Sequence, residues 1–398
     1  MIVLRAGVVL PVSGAPIPDG RVAVESGRVA WVGRAGAPGD PGGPARDLGP
    51  GVLLPGLVDA HCHLELSHLA GEVPFGGGFV PWVEEVVGAR GRFSGEEVAA
   101  ATRAAIRFLE ERGTVAVGDV SNALAHVGDL AASRLDGVVF MELLAWDPAR
   151  AEASLAWAEE RARAVAAQLR PGLDVRLAAH APHSVSPALF ALLRERGGPS
   201  AVHLAESPDE SRFLADGGGP WPEFLRRRGL GHVAFEPPGT SPVRYLEELG
   251  VLHSQLVAAH GVQLDADDRA VLSRRGAHVV LCPRSNRNLG VGTADLPALL
   301  AAGVRLALGT DSLASAETLD VLDDAVALHR AFPSVDPAVI VRIATQGGAE
   351  ALGLGHLGAI APGRAAALAY AAADATPAEP HEFLLSGEVR LARVELPA

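Results

Sequence analysis

The sequence predicts an α/β fold, a (β/α)8 TIM barrel joined to a small β-sandwich built from both termini. Three observations lead there. Eight short apolar runs alternate with helix-like segments between residues 56 and 354. Residues 1–55 carry only short strand-like runs, and the same texture returns after Leu354. Histidines or an aspartate stand at the ends of several runs, where a barrel carries its functional groups.

Taken in order, Gly7–Leu10, Arg21–Glu25 and Val29–Val32 read as strands, with Gly and Pro dense between Gly36 and Pro50. From Gly56 the rhythm changes. The eight runs are Leu57–His61, Thr114–Val120, Val138–Leu144, Val175–His180, Ala201–Leu204, Leu256–His260, His278–Cys282 and Val304–Gly309. Helix start signals lie between them. Ser94-Gly95-Glu96-Glu97 reads as a capping box for a helix that stops at Gly113, and Ser207-Pro208-Asp209-Glu210 reads as a second. Ser186-Pro187 opens a helix ending at Gly197, and Ser241-Pro242 places proline at the first helical position. A doubly wound open sheet fits the same alternation, and periodicity alone does not separate the two. After Leu354, Ala365–Tyr370 and Glu388–Val394 read as strands. The expected division is therefore 1–55 plus 355–398 for the β-sandwich and 56–354 for the barrel. Gly71–Arg92 is a Gly-rich insertion after the first barrel strand, read as a loop. Its Phe75, Phe79 and Trp82 suit either a surface excursion or a substrate wall.

Composition excludes several chemistries. The chain has 398 residues, with 34 basic against 47 acidic and a net charge of −13. Every basic residue is arginine. No Schiff-base lysine, P-loop lysine or lysine general base can operate, and no carboxylated lysine can bridge two metals. The acidic balance argues against nucleic acid as a partner. Cys62 and Cys282 are too few for a disulfide framework. The start Met1-Ile2-Val3-Leu4-Arg5 lacks a signal-peptide pattern, and no apolar run approaches the ~18 residues of a membrane span. A cytoplasmic protein with no membrane partner is expected.

The residues that carry chemistry sit at the run ends. In Asp59-Ala60-His61-Cys62-His63, residues two apart on a strand share a face, so both histidines can reach one metal. His203 ends the fifth run with Glu206 just beyond, His260 ends the sixth, and Asp311 follows the eighth. This ordered set resembles the amidohydrolase superfamily, over essentially the whole chain. Gly358–Arg364 resembles the turn back into its flanking sandwich.

The resemblance implies that His61, His63, His203 and Asp311 ligate one divalent metal. Zn²⁺ is the first expectation, with Fe²⁺ or another first-row metal also suited to three histidines and a carboxylate. Relatives with two metals use a lysine after strand 4. Here that run ends in Ala179-His180-Ala181-Pro182-His183. Replacing a ring amino group means adding water across an aromatic C=N. That step needs an activated water and a proton donor aimed at the ring nitrogen. The resemblance gives the donor role to Glu206, water orientation to His260, and proton transfer to the leaving ammonia to Asp311.

Four strings narrow the substrate: His61–Ser67, His203–Pro208, Cys282–Asn286 and Gly309–Ser315. With Phe79-Val80-Pro81-Trp82, they are most similar to adenosine-type deaminases, foremost those acting on 6-amino-6-deoxyfutalosine in menaquinone synthesis. The implied partner is a small-molecule nucleoside, with a homodimer left open. Alternatives are deaminases of another aminopurine, a pyrimidine or a triazine, or a non-catalytic binding protein on the same scaffold. Expected substrate contacts are His180, Glu65, Ser67, Trp82, Arg284 and Ser312, with a structural hydrogen-bonding role an equal alternative for Glu65 and Ser67. A benzoate on the substrate would need an arginine, and Arg284, Arg90 and Arg92 are the candidates. Two departures stand out: Cys62 where threonine is commoner, and His183 where tyrosine is common.

Overall fold

The computed structural model of the chain describes residues 1–396. Five strands open it: β1 (Ile2–Val9), β2 (Ile17–Glu25), β3 (Arg28–Arg34), β4 (Arg46–Asp47) and β5 (Val52–Pro55). The barrel strands follow as β6 (Leu57–Cys62), β7 (Thr114–Ser121), β8 (Asp136–Leu143), β9 (Leu173–Ala179), β10 (Ser200–Leu204), β11 (Leu256–His260), β12 (His278–Leu281) and β13 (Arg305–Leu308). β14 (Leu368–Ala371) and β15 (Leu391–Arg393) come last.

The terminal strands form one seven-stranded sheet, ordered β15-β14-β5-β1-β2-β3 with β4 on β1. Both ends of the chain meet where β14 runs antiparallel to β5, Leu368 opposite Pro55. Leu4, Val22, Leu53 and Leu368 are fully buried in this module's own cluster.

The barrel is eight parallel strands in two hydrogen-bonded halves, β6-β7-β8-β9 and β10-β11-β12-β13. Two seams close it, and both run through the backbone of residues singled out above. The His203 N–H donates to the His180 carbonyl at 2.8 Å. The Asp311 N–H donates to the His61 carbonyl, and the His63 N–H to the Asp311 carbonyl, each at 3.0 Å. Gly309 permits the second seam, since a Cβ there would lie 2.6 Å from the His61 carbonyl oxygen. Strands β6, β7, β11 and β12 are buried at every position, as expected of a parallel sheet covered on both faces.

The helices used below are α1 (Phe79–Arg90), α2 (Gly95–Glu111), α3 (Val127–Ala132), α4 (Ala151–Ala166), α5 (Pro187–Arg196), α6 (Pro208–Asp216), α7 (Trp221–Arg227), α8 (Pro242–Glu248), α9 (Ala266–Arg275), α10 (Pro283–Asn288), α11 (Leu296–Ala301) and α12 (Val321–Ala331). Ser94 and Glu97 form the expected capping box on α2. At α6 the expectation needs correction. Ser207 caps Glu210, but the Glu210 carboxylate accepts from the Glu206 N–H at 2.8 Å instead of closing the box. The 71–92 insertion also differs from its reading as a loop. Its second half is α1, hidden in sequence behind Gly76-Gly77-Gly78. Among the described residues no helix is long and apolar enough to cross a membrane.

Candidate active site

Four strand ends deliver the site. His61 and His63 come from the end of β6, His203 from β10, His260 from β11 and Asp311 from just beyond β13. The ligand atoms of His61, His63 and Asp311 lie within 4.8 Å of one another. The same holds for His61, His203 and His260, and for Glu206, His260 and Asp311. His260 (φ 77°) and Asp311 (φ 61°) both hold left-handed backbone, which bends their side chains off the strands into the mouth.

Partners behind these groups fix which atom faces inward. Oδ2 of Asp311 accepts from Ser285 Oγ at 2.6 Å and Ser315 Oγ at 2.7 Å. Oδ1 is left 3.5 Å from His63 Nε2 and 3.8 Å from His61 Nε2. His260 Nδ1 donates to Asn286 Oδ1 at 3.0 Å, which sets the tautomer and leaves the Nε2 lone pair facing the centre. That Nε2 lies 3.1 Å from His203 Nδ1 and 3.6 Å from Glu206 Oε1.

Electrostatics separates the roles. Burial, then the neighbouring imidazoles, pushes His61 well below its ordinary value, so it is neutral, as a metal ligand must be. Burial pushes the Glu206 carboxyl well above the ordinary carboxylate range, which favours its protonated form. Glu142 is equally enclosed and behaves oppositely. Burial would raise it, but His180 and the His203 hydrogen bond outweigh that and keep it ionised. Nε2 of His61 is buried with no hydrogen-bond partner. Three imidazoles and a carboxylate converging on that nitrogen suit a divalent metal.

These groups floor a cavity of about 410 Å³ lined also by Trp82, His180 and Ser312. A crevice of about 460 Å³ lies elsewhere, between α4, α5 and the edges of β9 and β10, and contains none of them. The structure corrects three expected substrate contacts. Glu65 is buried off the cavity, its carboxylate taken by Arg90, Ser121 Oγ and the N–H groups of Asn122 and Ala123. Ser67 is buried beside it, because the 3-10 turn Leu64–Leu69 rotates both away from the mouth. Arg284 points from α10 into the barrel wall and pairs with Asp324 at 2.6 Å, so it is not free for substrate. Arg92 also lies outside the cavity lining, while Arg90 reaches it.

Sequence reasoning missed Glu142, whose Oε1 lies 3.2 Å from His203 Nε2 and whose Oε2 accepts from Asn122 Nδ2 at 2.9 Å. A signal was present: it is the one charged residue within the apolar run Val138–Leu144. Asn286, Ser285 and Ser315 were also missed, since a polar group behind a ligand leaves no spacing to read. His183 is buried in the cavity wall, its ring 4.2 Å from that of Trp221.

Comparison with known proteins agrees with this geometry. The chain is 39% identical over 315 residues to an aminodeoxyfutalosine deaminase of Deinococcus radiodurans, covering 76% of this chain and 73% of the relative. It is 32% identical over 388 residues to a 5-methylthioadenosine/S-adenosylhomocysteine deaminase of Syntrophobacter fumaroxidans, covering 88% and 81%. The crystal structure of a zinc-bound adenosine deaminase from Xanthomonas campestris superposes with a TM-score of 0.79 at 26% identity, covering 96% and 88%. The profile of the Amidohydrolase family matches residues 52–389, from β5 through the whole barrel, and the chain belongs to that family.

Proposed function

We propose that this protein is a metal-dependent aminohydrolase of an adenosine-type nucleoside, with 6-amino-6-deoxyfutalosine as substrate and futalosine and ammonia as products. The observation that carries the proposal is Glu206, a buried carboxyl 3.6 Å from His260 Nε2 beside the His/Asp cluster of one cavity. A group of that kind is needed where a ring nitrogen must gain a proton as water adds to the neighbouring carbon.

Held by His61, His63, His203 and Asp311, a divalent metal, zinc first, supplies the activation of the attacking water. His260 Nε2 orients that water, with Nδ1–H fixed on Asn286. Asp311 Oδ1 takes one water proton, its other oxygen being pinned by Ser285 and Ser315. The water oxygen bonds to the amine-bearing carbon while Glu206 gives its proton to the adjacent ring nitrogen. Asp311 then passes its proton to the amino group, the C–N bond breaks, and ammonia leaves. The remaining hydroxyl proton returns to Glu206 as the carbonyl forms. Glu142 positions His203 by holding its second nitrogen.

The 32% identical relative favours one second reading, deamination of methylthioadenosine or S-adenosylhomocysteine. A panel of these nucleosides with adenosine, guanine and cytosine, assayed for ammonia alongside metal analysis, tests both. The expected result is the highest kcat/KM on aminodeoxyfutalosine with about one metal per chain. Ammonia release from none of them, or full turnover after metal removal, would overturn the proposal.

A further inference from the structure

Three guanidinium groups line the cavity, those of Arg90, Arg150 and Arg228, and they differ in what already holds them. Arg90 donates to Glu65 at 2.7 Å and to Asn122 at 3.2 Å, so its fork is engaged. Arg150 has no carboxylate partner among the described residues, but it follows Asp147, which lines the same cavity and whose negative charge disfavours an anion there. Arg228 differs from both. It caps the carboxyl end of α7 as the last of three consecutive arginines. Arg226 pairs with Glu223 at 2.6 Å, and Arg227 bonds Glu84 through Nε at 2.9 Å. Among the described residues no carboxylate pairs with Arg228, and it alone of the three lines the cavity.

The wall leading to Arg228 is apolar and aromatic: Trp221, Phe224, Leu225 and Leu230 all face the same cavity. The Trp221 ring lies 6.2 Å from that of Phe79 on α1 and 5.2 Å from that of Phe224. An unpaired planar cation in the same cavity lining as these aromatic rings matches a flat apolar group that ends in a carboxylate. A bare hydrophilic anion would gain nothing from the bed.

We infer that Arg228 is the residue that reads a carboxylate carried on an aromatic substituent of the substrate, with Trp221, Phe224 and Leu230 as the bed for its ring. The inference rests on the proposed nucleoside reading and specifies the far end of that substrate. It puts recognition of that end on residues 221–230, outside the strand ends that perform the chemistry.

The test measures binding on the metal-loaded enzyme, with futalosine and its carboxamide as probes, for wild type, Arg228→Gln, Arg228→Lys and Arg150→Gln. Wild type should bind the carboxylate about 10- to 100-fold more tightly than the carboxamide, as expected for charged hydrogen bonds. Arg228→Gln should remove that difference by weakening the carboxylate alone, while Arg228→Lys restores part of it. The wild-type preference should shrink as salt is raised, because the group lies at the solvent-exposed mouth. Equal loss for both probes in Arg228→Gln, no loss at all, or a loss that appears in Arg150→Gln instead would overturn the assignment. Failure of the underlying reading shows separately, as no ammonia release by wild type from any adenosine-type nucleoside.

Discussion

The inner end of the cavity and its outer wall are built on different principles. At the inner end several polar groups have a second partner behind them: Asp311 has Ser285 and Ser315, His260 has Asn286, and Glu142 has Asn122. These groups stand on short strands buried on both faces or on the turns that follow them. The outer wall comes from the segments around α1 and α7 and from the loops after β8 and β9. There Trp146 Nε1, His183 Nδ1 and Trp221 Nε1 are buried with no partner. A fixed inner network suits one chemistry, because small misplacement of a reacting group is costly. Unpartnered polar atoms in a wall supplied by loops and short helices suit selection of substrate. Reaction type and substrate choice are therefore carried by physically separable parts of this chain.

Variants should separate along the same line. The largest expected effect is on stability beneath the inner end. Arg284 anchors α10, which carries Ser285 and Asn286, to Asp324 of α12. Breaking that buried pair with Arg284→Ala should cost about 3–5 kcal/mol in denaturant unfolding. KM of the folded enzyme should stay the same, whereas a substrate contact would raise it. Next is Asn286→Ala, which frees the His260 tautomer. Turnover should fall about 10- to 100-fold with little change in KM. At the outer wall Trp221→Phe keeps an aromatic ring, smaller than the indole, and removes the unpartnered N–H. KM should rise about 3- to 10-fold with kcat retained, and a fall confined to kcat would blur the division.

The smallest effect is a pH dependence behind β6. His126 Nε2 lies 2.6 Å from Asp119 Oδ2, and Asp119 also accepts from the Leu64 N–H at 2.8 Å, fixing the turn after His63. Burial pulls the His126 ring down, but the Asp119 carboxylate outweighs it and the folded value lies above the ordinary 6.5. The pair's stabilisation is therefore full below about pH 6.5 and is lost as pH rises through the raised value. Wild type should exceed His126→Gln in melting temperature most at pH 6, with the gap narrowing by pH 9. A gap that widens with pH would reverse the assignment of charge.

Much of the inner end was legible because a barrel places functional groups at strand ends, and strand ends can be read from apolar runs. His61, His63, His203, His260 and Asp311 all stand there. The supporting groups were hidden for a physical reason. Asn286 and Ser285 lie on a six-residue helix, and Ser315 in a loop, where no period marks the inward face. Arg284 was misplaced for the same reason: adjacent residues of one short helix face different ways. Glu65 and Ser67 were misplaced because the 3-10 turn after His63 turns both away from the mouth, and no period in six residues marks that turn. The insertion after β6 read as loop because Gly76-Gly77-Gly78 stands before α1 and Gly88 lies within it.

The central claim is that a buried, protonated Glu206 donates to the substrate ring beside a metal held by other residues. Glu206→Gln tests it most directly, with metal content and ammonia release measured on one sample across pH. The account predicts unchanged metal content and a fall in turnover of about 10²- to 10⁴-fold. It also predicts loss of the wild-type decline in rate as pH rises through the raised Glu206 value. Undiminished ammonia release from a metal-loaded Glu206→Gln enzyme would contradict it.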